Sequence, residues 1–102
     1  MDINTSIPLG LIINELVSNA LKYAFPGDKK GFIKIGLHHN VNQYVLEVSD
    51  NGVGLPKDFN AEETDTLGML LINSLTQQLD GNLEVQGKPG STFIITFPRQ
   101  NK

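Results

Sequence analysis

Apolar residues recur at Leu9, Ile12, Ile13, Leu16, Val17, Ala20, Leu21 and Ala24. That is the i, i+3, i+4, i+7 spacing of a helix with a broad buried stripe. Pro8 suits the first turn of this helix, with Ser6 or Thr5 as its cap. Pro26 disfavours a helical residue before it, so the helix is expected to end between Phe25 and Asp28. The period then changes to two. Ile33, Ile35 and Leu37 alternate with less apolar positions in a strand over 32–37, and a second strand over 44–49 runs back after a turn at 38–43. Residues 50–56 are rich in breakers, and 57–66 are polar and without period, a loop long enough to be functional. A second helix is expected from about Thr66 to Leu79, with Leu67, Leu70, Leu71, Leu75 and Leu79 as its stripe and Met69 and Ile72 widening it. Asp80 and Gly81 stop it. Two last strands, 82–86 and 91–97, are joined by residues 87–90. In the final one Phe93, Ile95 and Phe97 share one face, and Thr92, Ile94 and Thr96 the other.

The order α-β-β-loop-α-β-β predicts an α+β, two-layer sandwich: a largely antiparallel sheet with helices on one face. The 102 residues suit one domain, 1–102. A formal net charge of −3 argues against a nucleic-acid or anionic-membrane surface. The chain has no cysteine, which excludes disulfides, zinc–thiolate sites and thiol catalysis and fits a cytoplasmic location. No apolar run approaches the ~20 residues of a membrane span. Only seven residues precede Pro8, so a domain excised from a longer protein is expected.

On the first helix the polar remainder gathers Asn14, Glu15, Ser18, Asn19 and Lys22 opposite the apolar stripe. Glu15, Asn19 and Lys22 are neighbours at i, i+4 and i+7. A carboxylate, a carboxamide and an ammonium in one row form either a solvated face or a base, a metal ligand and a phosphate contact. Along the second strand Asp50 shares its parity with Leu46 and Val48, which aims it into the covered side at the strand's end. A carboxylate there needs donors. It either caps its own loop through the Asn51 and Gly52 amides or accepts from a ligand amine, such as that of adenine. Gly52 and Gly54 either make a turn or let a flat ligand approach the backbone. Gly68, just before the second helix's stripe, either adjusts the loop or opens a helix end at which a phosphate docks. Gly90 and Thr92 shape a hairpin, or Thr92 adds a hydroxyl near Asp50. Together these describe a nucleotide pocket, with an Asn for Mg²⁺, which prefers oxygen ligands and commonly bridges substrate phosphates. Neither a P-loop nor a Gly-x-Gly-x-x-Gly before a helix is present.

The same residues resemble a known family. Residues 14–23, Asn-Glu-Leu-Val-Ser-Asn-Ala-Leu-Lys-Tyr, look like the N box of the ATP-binding fold shared by sensor histidine kinases, gyrase-type topoisomerases, Hsp90 chaperones and MutL. Residues 50–54, Asp-Asn-Gly-Val-Gly, look like its G1 box, and 66–69, Thr-Leu-Gly-Met, like a short G2 box. Residues 90–93, Gly-Ser-Thr-Phe, resemble its closing Gly-Thr-x-Phe element. The match spans nearly the whole chain, and the wording from Ala20 to Phe25 is closest to the histidine-kinase branch.

The resemblance implies the Bergerat-type ATP-binding fold and the catalytic domain of a two-component sensor histidine kinase. Such a domain positions Mg-ATP for attack by a histidine on a separate phosphoacceptor and dimerisation domain, with a response regulator downstream. It implies that Asn19 ligates Mg²⁺ on the phosphates, Lys22 contacts the phosphates and Tyr23 packs beside the nucleotide. Asp50 holds the adenine amine, with Thr92 helping through water. Gly52 and Gly54 floor the base, and Leu67 and Gly68 border the nucleotide where the helix opens. Glu15 falls where related ATPases keep a general base. The chain departs from the family in four ways. It has no phosphoacceptor helix, its F box is not recognisable, its lid is short and acidic, and the family's strand ahead of the N-box helix is not fully supplied, as in an N-terminally truncated domain. His38 and His39 read as hairpin surface residues. The alternatives are an anti-sigma-type serine kinase or ATPase of the same fold, with Glu15 as its base, and a scaffold that has lost nucleotide binding.

Overall fold

The computed structural model describes residues 3–21, 31–52, 67–87 and 90–99. Six elements follow in order: α1 (Ile3–Asn19), β1 (Ile33–His39), β2 (Gln43–Asp50), α2 (Leu67–Gln78), β3 (Asn82–Gln86) and β4 (Ser91–Pro98). The strands form one antiparallel sheet in the order β1-β2-β4-β3. β2 and β4 are central, and their alternation is the cleanest in the chain. Leu46, Val48, Ile95 and Phe97 are buried, and Val45, Glu47, Ile94 and Thr96 between them are half-buried on the opposite face. The helices lie on the first face, α1 against β2 and α2, and α2 also against β3. This is the expected α+β two-layer arrangement.

The core joins Leu9, Ile12 and Leu16 of α1 and Met69, Ile72 and Leu75 of α2, with Leu79 just beyond it, to Leu46, Val48, Ile95 and Phe97 of the sheet. Burying each such side chain contributes about 1.5–3 kcal/mol before entropy is counted. β1 shares the covered face, since Ile35 pairs with Val48 and Leu37 with Leu46. Yet Ile35 and Leu37 remain exposed, because no described helix lies over that edge strand.

Four expectations about the elements change. α1 begins at Ile3, so Pro8 stands inside the helix, not in its first turn. The cost is one i→i−4 hydrogen bond, to the carbonyl of Asn4, and the proline lies on the buried stripe with Thr5, Leu9 and Ile12. The expected end of that helix, between Phe25 and Asp28, lies outside the described residues. The β1–β2 hairpin is tighter than a six-residue turn, because His38 and His39 pair within β1. Asn40 closes it, its Oδ1 accepting from the amides of Asn42 (2.8 Å) and Gln43 (2.9 Å).

The stripe of α2 holds at Met69, Ile72, Leu75 and Leu79 and fails at its first leucines. Met69, Ile72, Leu75 and Thr76 are the buried positions, whereas Leu67 (84 % exposed), Leu70 (53 %) and Leu71 (38 %) face outward. Both sets have helical spacing, and the sheet beneath selects the second. The buried Thr76 hydroxyl donates to the carbonyl of Ile72 at 2.7 Å and so brings no unpaired polar group into the core. Asp80, not Gly81, takes the left-handed conformation at the helix end (φ 57°). Its amide bonds the carbonyl of Gln77 and that of Gly81 bonds the carbonyl of Thr76, a Schellman closure. Among the described residues no helix is long and apolar enough to cross a membrane.

Candidate nucleotide site

Asp50 is the last residue of β2 and 8 % exposed. The parity expected from the sequence holds, since Leu46, Val48 and Asp50 are all buried on the helix side. Its Oδ1 accepts from the Gly52 amide at 2.9 Å, an Asx turn. Its Oδ2 accepts from the Ser91 hydroxyl at 2.6 Å. Asn51 turns the other way and ties down the start of β1, its Oδ1 accepting from the Phe32 amide at 2.7 Å. Among the described residues no buried side-chain nitrogen or oxygen lacks a partner. A carboxylate offers about four acceptor positions, and among the described residues two donors hold Asp50 in place.

Gly90 makes this corner possible. Its φ is +66°, which L side chains rarely adopt. A Cβ there would overlap the carbonyl oxygen of Asp50 and lie 3.0 Å from the Asn51 Cα. The backbone of the β3–β4 turn therefore rests directly on the Asp50–Asn51 peptide, one residue before Ser91.

The expected hydroxyl partner of Asp50 is corrected. Ser91, not Thr92, occupies that place. In the β2–β4 register Asp50 stands opposite Ser91, and Ser49 opposite Thr92. Directly paired residues of an antiparallel ladder project to the same face, so Thr92 belongs to the face away from the helices. The signal was already in the alternation of β4, where Ser91 shares its parity with Phe93, Ile95 and Phe97.

Within the polar row of α1, Asn14 is exposed, whereas Glu15 and Asn19 are not fully solvated. Glu15 and Asn19 are both half-buried and meet the beginning of α2 at Gly68. A Cβ on Gly68 would stand 2.7 Å from Glu15 Oε2 and 3.2 Å from Asn19 Nδ2. A side chain there would force both groups aside. At Ala20 and Leu21 the helix widens into a π-type turn, a feature frequent at functional sites, directly after Asn19. Leu67, expected at the nucleotide, is the most exposed of the described large apolar residues. Lys22, Tyr23 and Gly54 lie outside the described residues, as does the acidic loop. His38 and His39 are exposed in β1, as surface residues should be.

The carboxamide of Asn19 and the carboxylate of Glu15 are hard oxygen donors that suit Mg²⁺. The described residues hold no group of three or more His, Cys, Asp or Glu side chains that could cage a metal. The donor set thus fits a cation shared with a ligand's phosphates.

Residues 4–101 match the family of histidine kinase-, DNA gyrase B- and HSP90-like ATPases. The sensor histidine kinase PdtaS of Mycobacterium tuberculosis (strain H37Rv) is 34 % identical over 102 aligned residues, covering 96 % of this chain and 20 % of that protein. Blue-light-activated histidine kinase 2 of Erythrobacter litoralis is 30 % identical over 100 residues, covering 94 % of this chain and 28 % of that kinase. The chain thus spans less than a third of either relative. Among solved structures, the histidine kinase domain of the Erythrobacter litoralis EL346 blue-light-activated kinase superposes with a TM-score of 0.88 at 27 % identity. The match covers 96 % of this chain and 46 % of that one. With nearly its whole length matched, the chain belongs to the histidine kinase-, DNA gyrase B- and HSP90-like ATPase family, as an ATP-binding domain of the sensor-histidine-kinase kind.

Proposed function

We propose that this chain is the catalytic domain, over residues 1–102, of a cytoplasmic portion of a two-component sensor kinase. It would bind Mg-ATP and present the γ-phosphate to a histidine on a separate phosphoacceptor domain, and a response regulator would receive the phosphoryl group afterwards. The observation that carries this reading is Asp50. It is a nearly buried carboxylate at a strand end, fixed by the Gly52 amide and the Ser91 hydroxyl, and it would accept from the exocyclic amine of adenine.

Each part then has a task. Asp50 accepts the base amine, Ser91 orients Asp50, and Gly52 and Gly54 leave room beside the base. At the other wall, the start of α2 would offer the positive end of the helix dipole to an arriving phosphate. Gly68 keeps that approach open, and Lys22 would add positive charge. Mg²⁺, when bound, would supply charge neutralisation of the phosphates, and Asn19 would give it a carboxamide oxygen as ligand. No residue here needs to act as a nucleophile. The domain contributes placement and electrostatic stabilisation. The outward-facing Leu67, Leu70 and Leu71 sit at the same end of α2. That position suits an apolar helix of the acceptor domain, since the receiving histidine must reach the phosphate there.

Calorimetry with Mg-ADP tests the reading. Wild-type protein should bind, and Asp50→Asn, which replaces an acceptor with an amide that also donates, should lose binding while remaining folded. No heat and no thermal shift at millimolar ligand would end the nucleotide reading. The domain alone should show no autokinase activity.

A further inference from the structure

The two edges of the sheet are not alike. β3 has five residues, and Leu83 and Val85 on its helix side are half-buried where α2 lies. β1 has seven, and Ile35 (49 % exposed) and Leu37 (45 %) lie open on the same side of the sheet. Among the described residues no strand pairs with the outer side of β1. Backbone bonds from Asn51 to Phe32 and from Asn40 to Gln43 put the even-numbered residues of β1 in the pairs that bond to β2. Alternation then turns the N–H and C=O of Ile33, Ile35, Leu37 and His39 outward. The devices that blunt an exposed edge are nearly absent from β1. It has no proline, and its pairing with β2 runs without a bulge from Ile33–Asp50 to His39–Tyr44. Lys34 is its one formal charge.

We propose that β1 pairs antiparallel with β1 of a second copy of this chain, joining the two sheets across a two-fold axis at Gly36. In that register the strand is its own complement. Ile35 stands opposite the partner's Leu37, and Ile33 opposite the partner's His39. These are the residues whose main-chain groups point outward, so each such pair exchanges both of its hydrogen bonds. On the helix side, the pairing lays Ile35 and Leu37 against the same residues of the other copy. On the opposite face, Lys34 stands opposite the partner's His38 and Gly36 opposite itself. No side chain there meets its own copy, as an isologous contact requires where the chain would repel itself. Centring the pair on residue 35 or 37 would leave the end of the strand unpaired, whereas Gly36 is the midpoint of Ile33–His39. The chain carries a net charge of −3, yet β1 contains no acid, so the copies meet where that charge opposes them least. A contact between two strands lies at the low end of specific interfaces, below about 1,200 Å² in total. The dimer is therefore weak, with a dissociation constant on the order of 10 μM. Association of this kind stands apart from the nucleotide reading.

Sedimentation velocity of the whole chain tests this, from about tenfold below that concentration to about tenfold above it. Wild type should pass from monomer to dimer. Ile35→Lys and Leu37→Glu each set a charge opposite an apolar side chain, and each should raise the dissociation constant at least about tenfold. An equal mixture of the two variants sets the new ammonium opposite the new carboxylate. It should dimerise to within about threefold of wild type. Ile7→Lys, at an exposed position of α1, is the control and should leave the dimer intact. Thermal unfolding of each variant shows that it is folded. A wild type that stays monomeric at the highest concentration overturns the proposal. So does a dimer that survives Ile35→Lys, or one that Ile7→Lys dissolves, which would place the second copy on α1. Loss of the dimer in both single variants without recovery in the mixture overturns the pairing about Gly36.

Discussion

The two central strands, β2 and β4, are paired from Gln43–Pro98 at one end to Asp50–Ser91 at the other, and the two ends of this one ladder are built differently. At the hairpin end the rings of Tyr44 and Phe97 stack with centroids 5.4 Å apart. His39 tilts against Tyr44 at 5.9 Å, and the Arg99 guanidinium sits 5.4 Å from the Tyr44 centroid. Arg99 also bonds the carbonyl of Asn40 through its side chain (2.9 Å) and that of Asn42 through its amide (3.0 Å). At the other end, on the same face, stand a carboxylate, a hydroxyl and a left-handed glycine. The first end spends its contacts on itself, so its groups can contribute to stability and little else. The second satisfies its buried polar atoms, and among the described residues two donors take up part of the about four acceptor positions of Asp50. That difference separates a closed end from the end at which we propose that the nucleotide binds, although strand pairing is the same at both.

The comparison can be broken from either side. The largest effect belongs to Phe97→Ala, which empties one of the largest fully buried side chains. It should cost about 3–5 kcal/mol in chemical denaturation. The folded fraction should bind Mg-ADP as wild type does. Asp50→Asn should do the reverse, lowering ADP affinity about 100-fold, or about 2.7 kcal/mol, with a smaller loss of stability. If both measurements moved together in either variant, the two ends would be one unit and the distinction would fail. Ser91→Ala should come next. It removes a hydrogen bond to a charged acceptor, of about 1.5–3 kcal/mol, and should weaken ADP binding several-fold, whereas Thr92→Ala should leave affinity unchanged. Equal effects at 91 and 92 would contradict the register. Arg99→Ala should be smallest, about 0.5–1 kcal/mol in thermal unfolding, with no change in binding.

Most of the element order was legible in the sequence, and so was the direction of Asp50, because alternation within a strand is a local property. The α2 stripe was legible only in part, with Met69, Ile72, Leu75 and Leu79 buried as expected and Leu67, Leu70 and Leu71 turned outward. Its leucines at positions 67, 70 and 71 are as well spaced as Met69, Ile72 and Thr76, and only the sheet beneath decides which row turns inward. Pro8 misled for a related reason. A single missing hydrogen bond is a modest local penalty, and the packing of Leu9, Ile12 and Leu16 carries the helix past it. Ser91 stands at the threonine position of the Gly-Thr-x-Phe element over 90–93 and shares its parity with Phe93, Ile95 and Phe97, so the signal for it lay in the sequence, and the β2–β4 register brings it to Asp50.

By itself, the sequence determined the two helical and four extended segments, the buried side of each central strand, and the family motifs that carry a nucleotide site. Periodicity and turn chemistry act over a few neighbouring residues, so they can be read from the chain alone. The tertiary structure decided that Asp50 and Ser91 meet across the sheet and which leucines of α2 reach solvent. It also decided that the Glu15–Asn19 row faces the start of α2 across Gly68 rather than water. Those outcomes depend on how separate elements approach one another, and that approach is set by packing over the whole sheet.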